Sequence, residues 1–108
     1  MSIITEIVTM KLADNAVKDD FISIVDGLEK NFHSKQAGFI DTELIYDEKN
    51  DLWIMIQHWE SMEQLKAASK KIFTESTAEA FVKSVDPKNV KMTIAPQLGV
   101  WKLGWRVV

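Results

Sequence analysis

The sequence predicts an α+β domain, a four-stranded antiparallel sheet with its helices on one face. Three observations predict it. Stretches rich in β-branched residues alternate with stretches whose apolar residues recur every three or four positions, in the order β-α-β-β-α-β. The chain has 108 residues, 46% hydrophobic and 27% charged, which is enough for one packed core and unlike a disordered segment. It has no cysteine, four glycines and two prolines, which excludes disulfides, thiolate metal sites, a cysteine nucleophile and a loop-rich scaffold.

The elements follow in order. Residues 2–12 read as a strand, with Ile3, Thr5, Ile7, Thr9 and Lys11 on one side and Ile4, Glu6, Val8, Met10 and Leu12 on the other. A helix is expected from about 15 to about 34, capped by Asp14 or Asn15. Val17, Phe21, Ile24, Val25, Leu28 and Phe32 share its apolar face, opposite Lys18, Asp19, Asp26 and Lys30. Gly27 inside it costs about 1 kcal/mol against Ala, in exchange for a close approach to the sheet. Gly38 ends the connection. Residues 39–46 and 52–59 are two strands joined by the polar hairpin Asp47-Glu48-Lys49-Asn50-Asp51. Leu52-Trp53-Ile54-Met55-Ile56 lacks polar alternation, so both faces of that strand need cover.

Ser61-Met62-Glu63-Gln64 is a capping box, with Met62, Leu65, Ala68 and Ile72 on the apolar side of the helix it starts. Ser76-Thr77-Ala78-Glu79 reads as a second capping box, before Ala78, Phe81, Val82 and Val85 at helical spacing. The second helical region is thus broken near Phe73–Glu75, and Asp86-Pro87 ends it. A fourth strand is expected over 89–95. The whole order is that of the ferredoxin-like fold, with the first and third strands central. We read residues 1–108 as a single domain, with a core over 3–95 and a Trp-containing extension over 96–108.

Helices on one face leave Ile3, Ile7, Ile54 and Ile56 on the other. Apolar area is worth about 25 cal/mol per Å² when buried, so this face predicts a two-fold homodimer packed sheet to sheet. The net charge of −3 divides unevenly. All acids lie at or before Asp86, and the last 22 residues carry Lys88, Lys91, Lys102 and Arg106, giving −7 before and +4 after. Four dispersed cations make a poor phosphate footprint, so no nucleic-acid partner is expected; the basic end suits docking on an acidic body. No apolar run is long enough for a membrane span and the N-terminus lacks signal-peptide features, so a cytoplasmic protein without a membrane partner is expected.

Gly38-Phe39 leads one strand, and another ends in His58-Trp59-Glu60-Ser61 before a helix. On these residues, and above all Trp59-Glu60-Ser61, the sequence resembles the antibiotic biosynthesis monooxygenase-like (ABM) domains of the dimeric α+β barrel superfamily, over about residues 3 to 95. The resemblance implies a chamber between sheet and helices, and oxygenation of phenols or quinols without metal, flavin or other cofactor. Members of one branch carry an Asn four residues before the strand tryptophan; here that position is Met55. A haem-degrading branch is disfavoured, because the nearest first-strand positions are Glu6 and Ile7, and 62–85 contains neither Trp nor His.

Within that frame Glu6 is the candidate base and Gln57 the candidate donor, while Trp59, Met55, Trp53 and Phe21 line the substrate pocket. Each has a plainer reading: Trp59, Trp53, Met55 and Phe21 as ordinary core, Glu6 at an exposed sheet edge. His58 is read as hydrogen-bonded at a strand end near the dimer contact. His33 is read as lying on the polar side of the first helix with Asp26 and Lys30, facing the helix dipole. Two separated histidines supply no metal site. Two functions follow: a cofactor-independent monooxygenase acting on a small aromatic or quinol, or a non-catalytic dimeric module that binds a small ligand or serves a structural role.

Overall fold

The computed structural model describes residues 2–103. Four strands, β1 (Ile4–Met10), β2 (Phe39–Asp47), β3 (Leu52–Trp59) and β4 (Lys91–Pro96), form one antiparallel sheet in the order β2-β3-β1-β4. The expected α+β, ferredoxin-like arrangement is present, with β1 and β3 central. Helices α1 (Lys18–Asn31), α2 (Met62–Lys71) and α3 (Glu79–Ser84) connect the strands.

Register decides which side chains meet. Ile4, Glu6, Val8 and Met10 of β1 lie opposite Trp59, Gln57, Met55 and Trp53 of β3, on the helix side. On the other side Thr5, Ile7 and Thr9 face His58, Ile56 and Ile54. A register shift between Phe39 and Asp41 keeps Phe39 across from Trp59 and places Thr42 beside Gln57. β3 then alternates as a half-covered strand does: Trp53, Met55, Gln57 and Trp59 are buried, and Leu52, Ile54, Ile56 and His58 are half-buried.

The apolar core is in two pieces. One joins Met10, Phe21, Val25, Leu28, Phe32, Trp53, Met55 and Ala78; the other joins Ile4, Trp59, Leu65 and Ala68. Between them, along both central strands, stand the polar residues Glu6 and Gln57.

Several local expectations change. α1 begins later than expected: Val17 sits at its N-cap position with an extended backbone, no side-chain cap and 58% exposure, rather than on the apolar face. Neither Asp14 nor Asn15 caps it. Ser61 does cap α2, accepting from the Gln64 backbone N–H. Ser76–Ala78 forms a single 3₁₀ turn without a side-chain cap, because the chain is still turning there. Nothing lies within 4 Å of where a Gly27 side chain would project, so Gly27 serves no close approach. Gly38 is required: its φ is +83°, and a Cβ there would sit 2.1 Å from Gln64 Oε1.

Beyond β4, Gln97 N–H donates to Ile3 O, and Leu98, Val100, Trp101 and Leu103 are exposed. Trp105 and Arg106 lie outside the described residues. Among the described residues, no helix is long and apolar enough to cross a membrane.

Candidate functional site

The break in the core is the candidate site. Glu6 and Gln57 are Cα partners across β1 and β3, both on the helix side and both buried, 6% and 3% exposed. Glu6 is thus not at a sheet edge; it lies on β1, a central strand, with its side chain buried. Burial raises its pKa above the ordinary 4.5, because a carboxylate loses hydration there. The nearby His33 charge and then the Trp59 indole N–H act in the opposite sense.

Trp59 comes to the same place one step along β3. It is 1% exposed, and its Nε1 is buried without a hydrogen-bond partner. The indole N–H therefore acts on Glu6 through its dipole rather than through a formed bond. Leaving such a donor unpaired costs about 1–3 kcal/mol.

His33 reaches this site too, which corrects its expected place on the polar side of a continuing helix. At Phe32 the backbone leaves helical geometry (φ −116°, ψ −66°), and His33–Lys35 continue as a 3₁₀ turn. Gln36 Nε2 donates to Phe32 O and Ser34 Oγ to Lys30 O, which fixes the turn. The tighter winding rotates His33 inward. Its ring stacks on Phe39 at 5.3 Å and meets Phe32 and Trp59 edge-on at 5.0 and 6.0 Å. Asp26 and Lys30 stay outside and pair with each other at 2.8 Å.

Two further residues complete the cluster, and neither has a motif that marks it in the sequence. Glu29 Oε2 lies 2.5 Å from His33 Nδ1, and its Oε1 accepts from the Thr42 hydroxyl. Gln57 Nε2 donates to Thr42 Oγ1 at 2.9 Å and lies 3.4 Å from His33 Nδ1 and 3.5 Å from Glu29 Oε1. The i, i+4 spacing of Glu29 and His33 is the one available signal, and it shows nothing of their burial. The Glu29 side chain keeps 21% exposure, so the hydrogen-bonded belt runs from Gln57 in the interior to a carboxylate at the rim.

The remaining residues expected to line the pocket do not join this group. Trp53, Met55 and Phe21 pack in the other half of the core, with Phe21 edge-on to Trp53 at 4.9 Å and Tyr46 against Trp53 at 4.5 Å. His58 is on the far face, 2.6 Å from Asp41 Oδ1. Two grooves of about 350 Å³ also lie elsewhere. One runs between α2 and α3 past Ile72, Phe73 and Val82; the other is on the open face beside Ile3, Ile40 and His58.

Residues 3–72 match the family model described as antibiotic biosynthesis monooxygenase. Among solved structures the chain is similar to a variant of SnoaB, a cofactor-independent oxygenase from Streptomyces nogalater, with TM-score 0.72 and 13% identity, covering 93% of this chain and 97% of that one. It is also similar to Rv0793 from Mycobacterium tuberculosis (TM-score 0.68, 10% identity, 94% and 100% covered). A conserved protein from Methanosarcina mazei is a third (TM-score 0.66, 16% identity, 88% and 92% covered). At these identities the likeness is one of fold. No curated protein sequence matches.

Proposed function

The chain belongs to the antibiotic biosynthesis monooxygenase family, and from that premise we propose that it is a cofactor-independent monooxygenase acting on a small, electron-rich phenol or quinol. The observation that carries this reading is the pairing of a buried carboxylate, Glu6, with an unsatisfied buried donor, Trp59 Nε1, where polar side chains part the two apolar clusters.

The chemistry asks little of a protein beyond such a place. Glu6 takes the proton of the substrate hydroxyl; its desolvation makes it a stronger base than a carboxylate in water. Trp59 Nε1–H holds the oxyanion, and Gln57 joins it by turning its second N–H from Glu29 and His33 toward the substrate. The electron-rich anion reduces dioxygen. One oxygen atom remains on the quinone product and the other leaves as water, the substrate supplying all four electrons. The surrounding aromatic rings exclude bulk water from this exchange.

The same reading includes a two-fold homodimer formed through the open sheet face, which carries Ile3, Ile7, Ile54 and Ile56.

Oxygen uptake with a reactive quinol tests the activity. Glu6→Gln and Trp59→Ala should each lower turnover, Glu6→Gln by about 10²–10⁴-fold as for loss of a general base. Unchanged uptake in both overturns the assignment.

A second reading has its own support. Trp53, Met55 and Phe21 are close-packed, and Met55 supplies no amide, as suits a non-catalytic module. Native mass spectrometry of freshly purified protein separates the two: a dimer without a bound small molecule and without oxygen uptake favours the module.

A further inference from the structure

The open sheet face is charged at its two edges, with opposite signs. On β2, Asp41, Glu43, Ile45 and Asp47 share this face, because their partners on β3 are His58, Ile56, Ile54 and Leu52. On β4 it is Lys91, Thr93 and Ala95, the partners of Thr9, Ile7 and Thr5 on β1. Lys11 and Lys88 join Lys91 along one groove of about 260 Å³ at that edge. Ile7, Ile54 and Ile56 lie between the acidic edge and the basic one. At one end of the face Asp41 is bonded to His58 and borders a groove with Lys102, so its charge is met within the chain. Asp47 accepts from the backbone and side-chain N–H groups of Asn50, which are uncharged. Among the described residues, Glu43, Asp47, Lys11, Lys88 and Lys91 enter no ion pair.

A second copy can be placed on this face by a two-fold axis that runs along the strands or across them. An axis along the strands reverses the order β2-β3-β1-β4, so that β4 of each copy lies over β2 of the other. Levels along the strands are kept. Glu43, Ile56, Ile7 and Thr93 form one row across the sheet. Turned over, that row sets Ile56 on the partner's Ile7, Ile7 on the partner's Ile56, and Glu43 over the partner's Thr93. In the next row, Ile45, Ile54, Thr9 and Lys91, the lysine falls beside Ile45 of the partner subunit. Glu43 and Asp47 are each two residues from Ile45, about 7 Å along the strand, a distance that a lysine stem spans. An axis across the strands instead puts β2 on β2 and β4 on β4, carboxylate against carboxylate and lysine against lysine.

We propose that a second copy of this chain docks on the open face about the axis along the strands, the lysine edge of each copy on the acidic edge of the other. The isoleucines supply the affinity, and the charged edges select the orientation. This rests on the homodimer reading and adds to it which edge meets which.

Charge reversal tests it, by sedimentation at low ionic strength. Glu43→Lys and Lys91→Glu should each raise the dimer dissociation constant about tenfold, since two-fold symmetry makes each change act twice. Carrying both in one chain should restore it. The loss should shrink in about 1 M salt, where screening acts within about 3 Å. In a mixture of the two single variants, native mass spectrometry should find mostly the mixed dimer. A Glu43→Lys dimer as tight as the wild type, or tighter, overturns the orientation, because the axis across the strands predicts relief of repulsion there. The chain has no cysteine, so a second measurement is clean. Glu43→Cys and Thr93→Cys chains, coexpressed and treated with a bifunctional thiol reagent spanning about 10 Å, the spacing of packed sheets, should link to each other. Links of each variant only to itself overturn the orientation. A wild-type monomer removes the homodimer reading and this orientation together; a wild-type dimer indifferent to charge reversal keeps the first and rejects the second.

Discussion

Glu6 is the residue on which the site turns, and its energetics are open to test. Its folded pKa is raised above 4.5 by burial, so the folded chain binds the proton more tightly than the unfolded chain does. The contribution to stability is fully present below about pH 4.5 and is lost as pH rises through the raised folded value. Glu6→Gln removes that dependence. Urea melts from pH 4 to 8 should show the wild-type midpoint falling relative to the variant with rising pH, and the variant the more stable at pH 7. Parallel profiles would mean that Glu6 is hydrated. His33 shows how far one residue can depart from its helical-wheel position. Periodicity places it beside Asp26 and Lys30 on the outside; two backbone angles at Phe32 bring it in. No composition or spacing signal announces that change of winding. Trp59, by contrast, is legible from strand parity alone and is buried as expected.

Elements follow the sequence best where backbone chemistry is local. The capping box at Ser61 is present as written, with the Gln64 N–H on Ser61 Oγ at 3.2 Å. Ser61→Ala should cost about 1 kcal/mol, read as a lower urea midpoint at unchanged slope, and Ser61→Thr should retain most of the stability. The similar-looking sequence at Ser76 forms a 3₁₀ turn, because the break at Ile72–Glu75 leaves too little chain to complete a helical turn before α3. At α1 the apolar period extends to Val17, yet the helix starts after it: Val17 stays exposed, and Phe21 is the first residue of the helix to be buried. β4 begins at Lys91, two residues later than the sequence predicts. Its exposed alternation gives no burial pattern from which to fix its ends, and pairing with β1 sets them instead.

At the scale of the molecule, the sheet presents two unlike surfaces. One carries the split core; the other carries Ile3, Ile7, Ile45, Ile54 and Ile56, with Ile3 and Ile45 each 38% exposed. The homodimer we propose would cover that surface, and sedimentation should give a particle of twice 12.3 kDa at micromolar concentration. Ile54→Asp or Ile56→Asp should shift it to the monomer while the far-ultraviolet spectrum is retained. A wild-type monomer at that concentration rules the dimer out. His58 and Asp41, bonded on this face, would then lie at the contact.

Strand parity, helical period and the Ser61 cap are local properties, each set by a few neighbouring residues, so the element order, the central strands and the burial of Trp59 and Gln57 follow from the pattern of the chain alone. The gathering of Glu29, His33, Thr42 and Gln57 in one place arises only when the chain is folded. It depends on the register of β1 on β3, the register shift in β2 and the winding of one turn after α1. Those are set by packing between segments distant in the chain, where no local pattern carries the information.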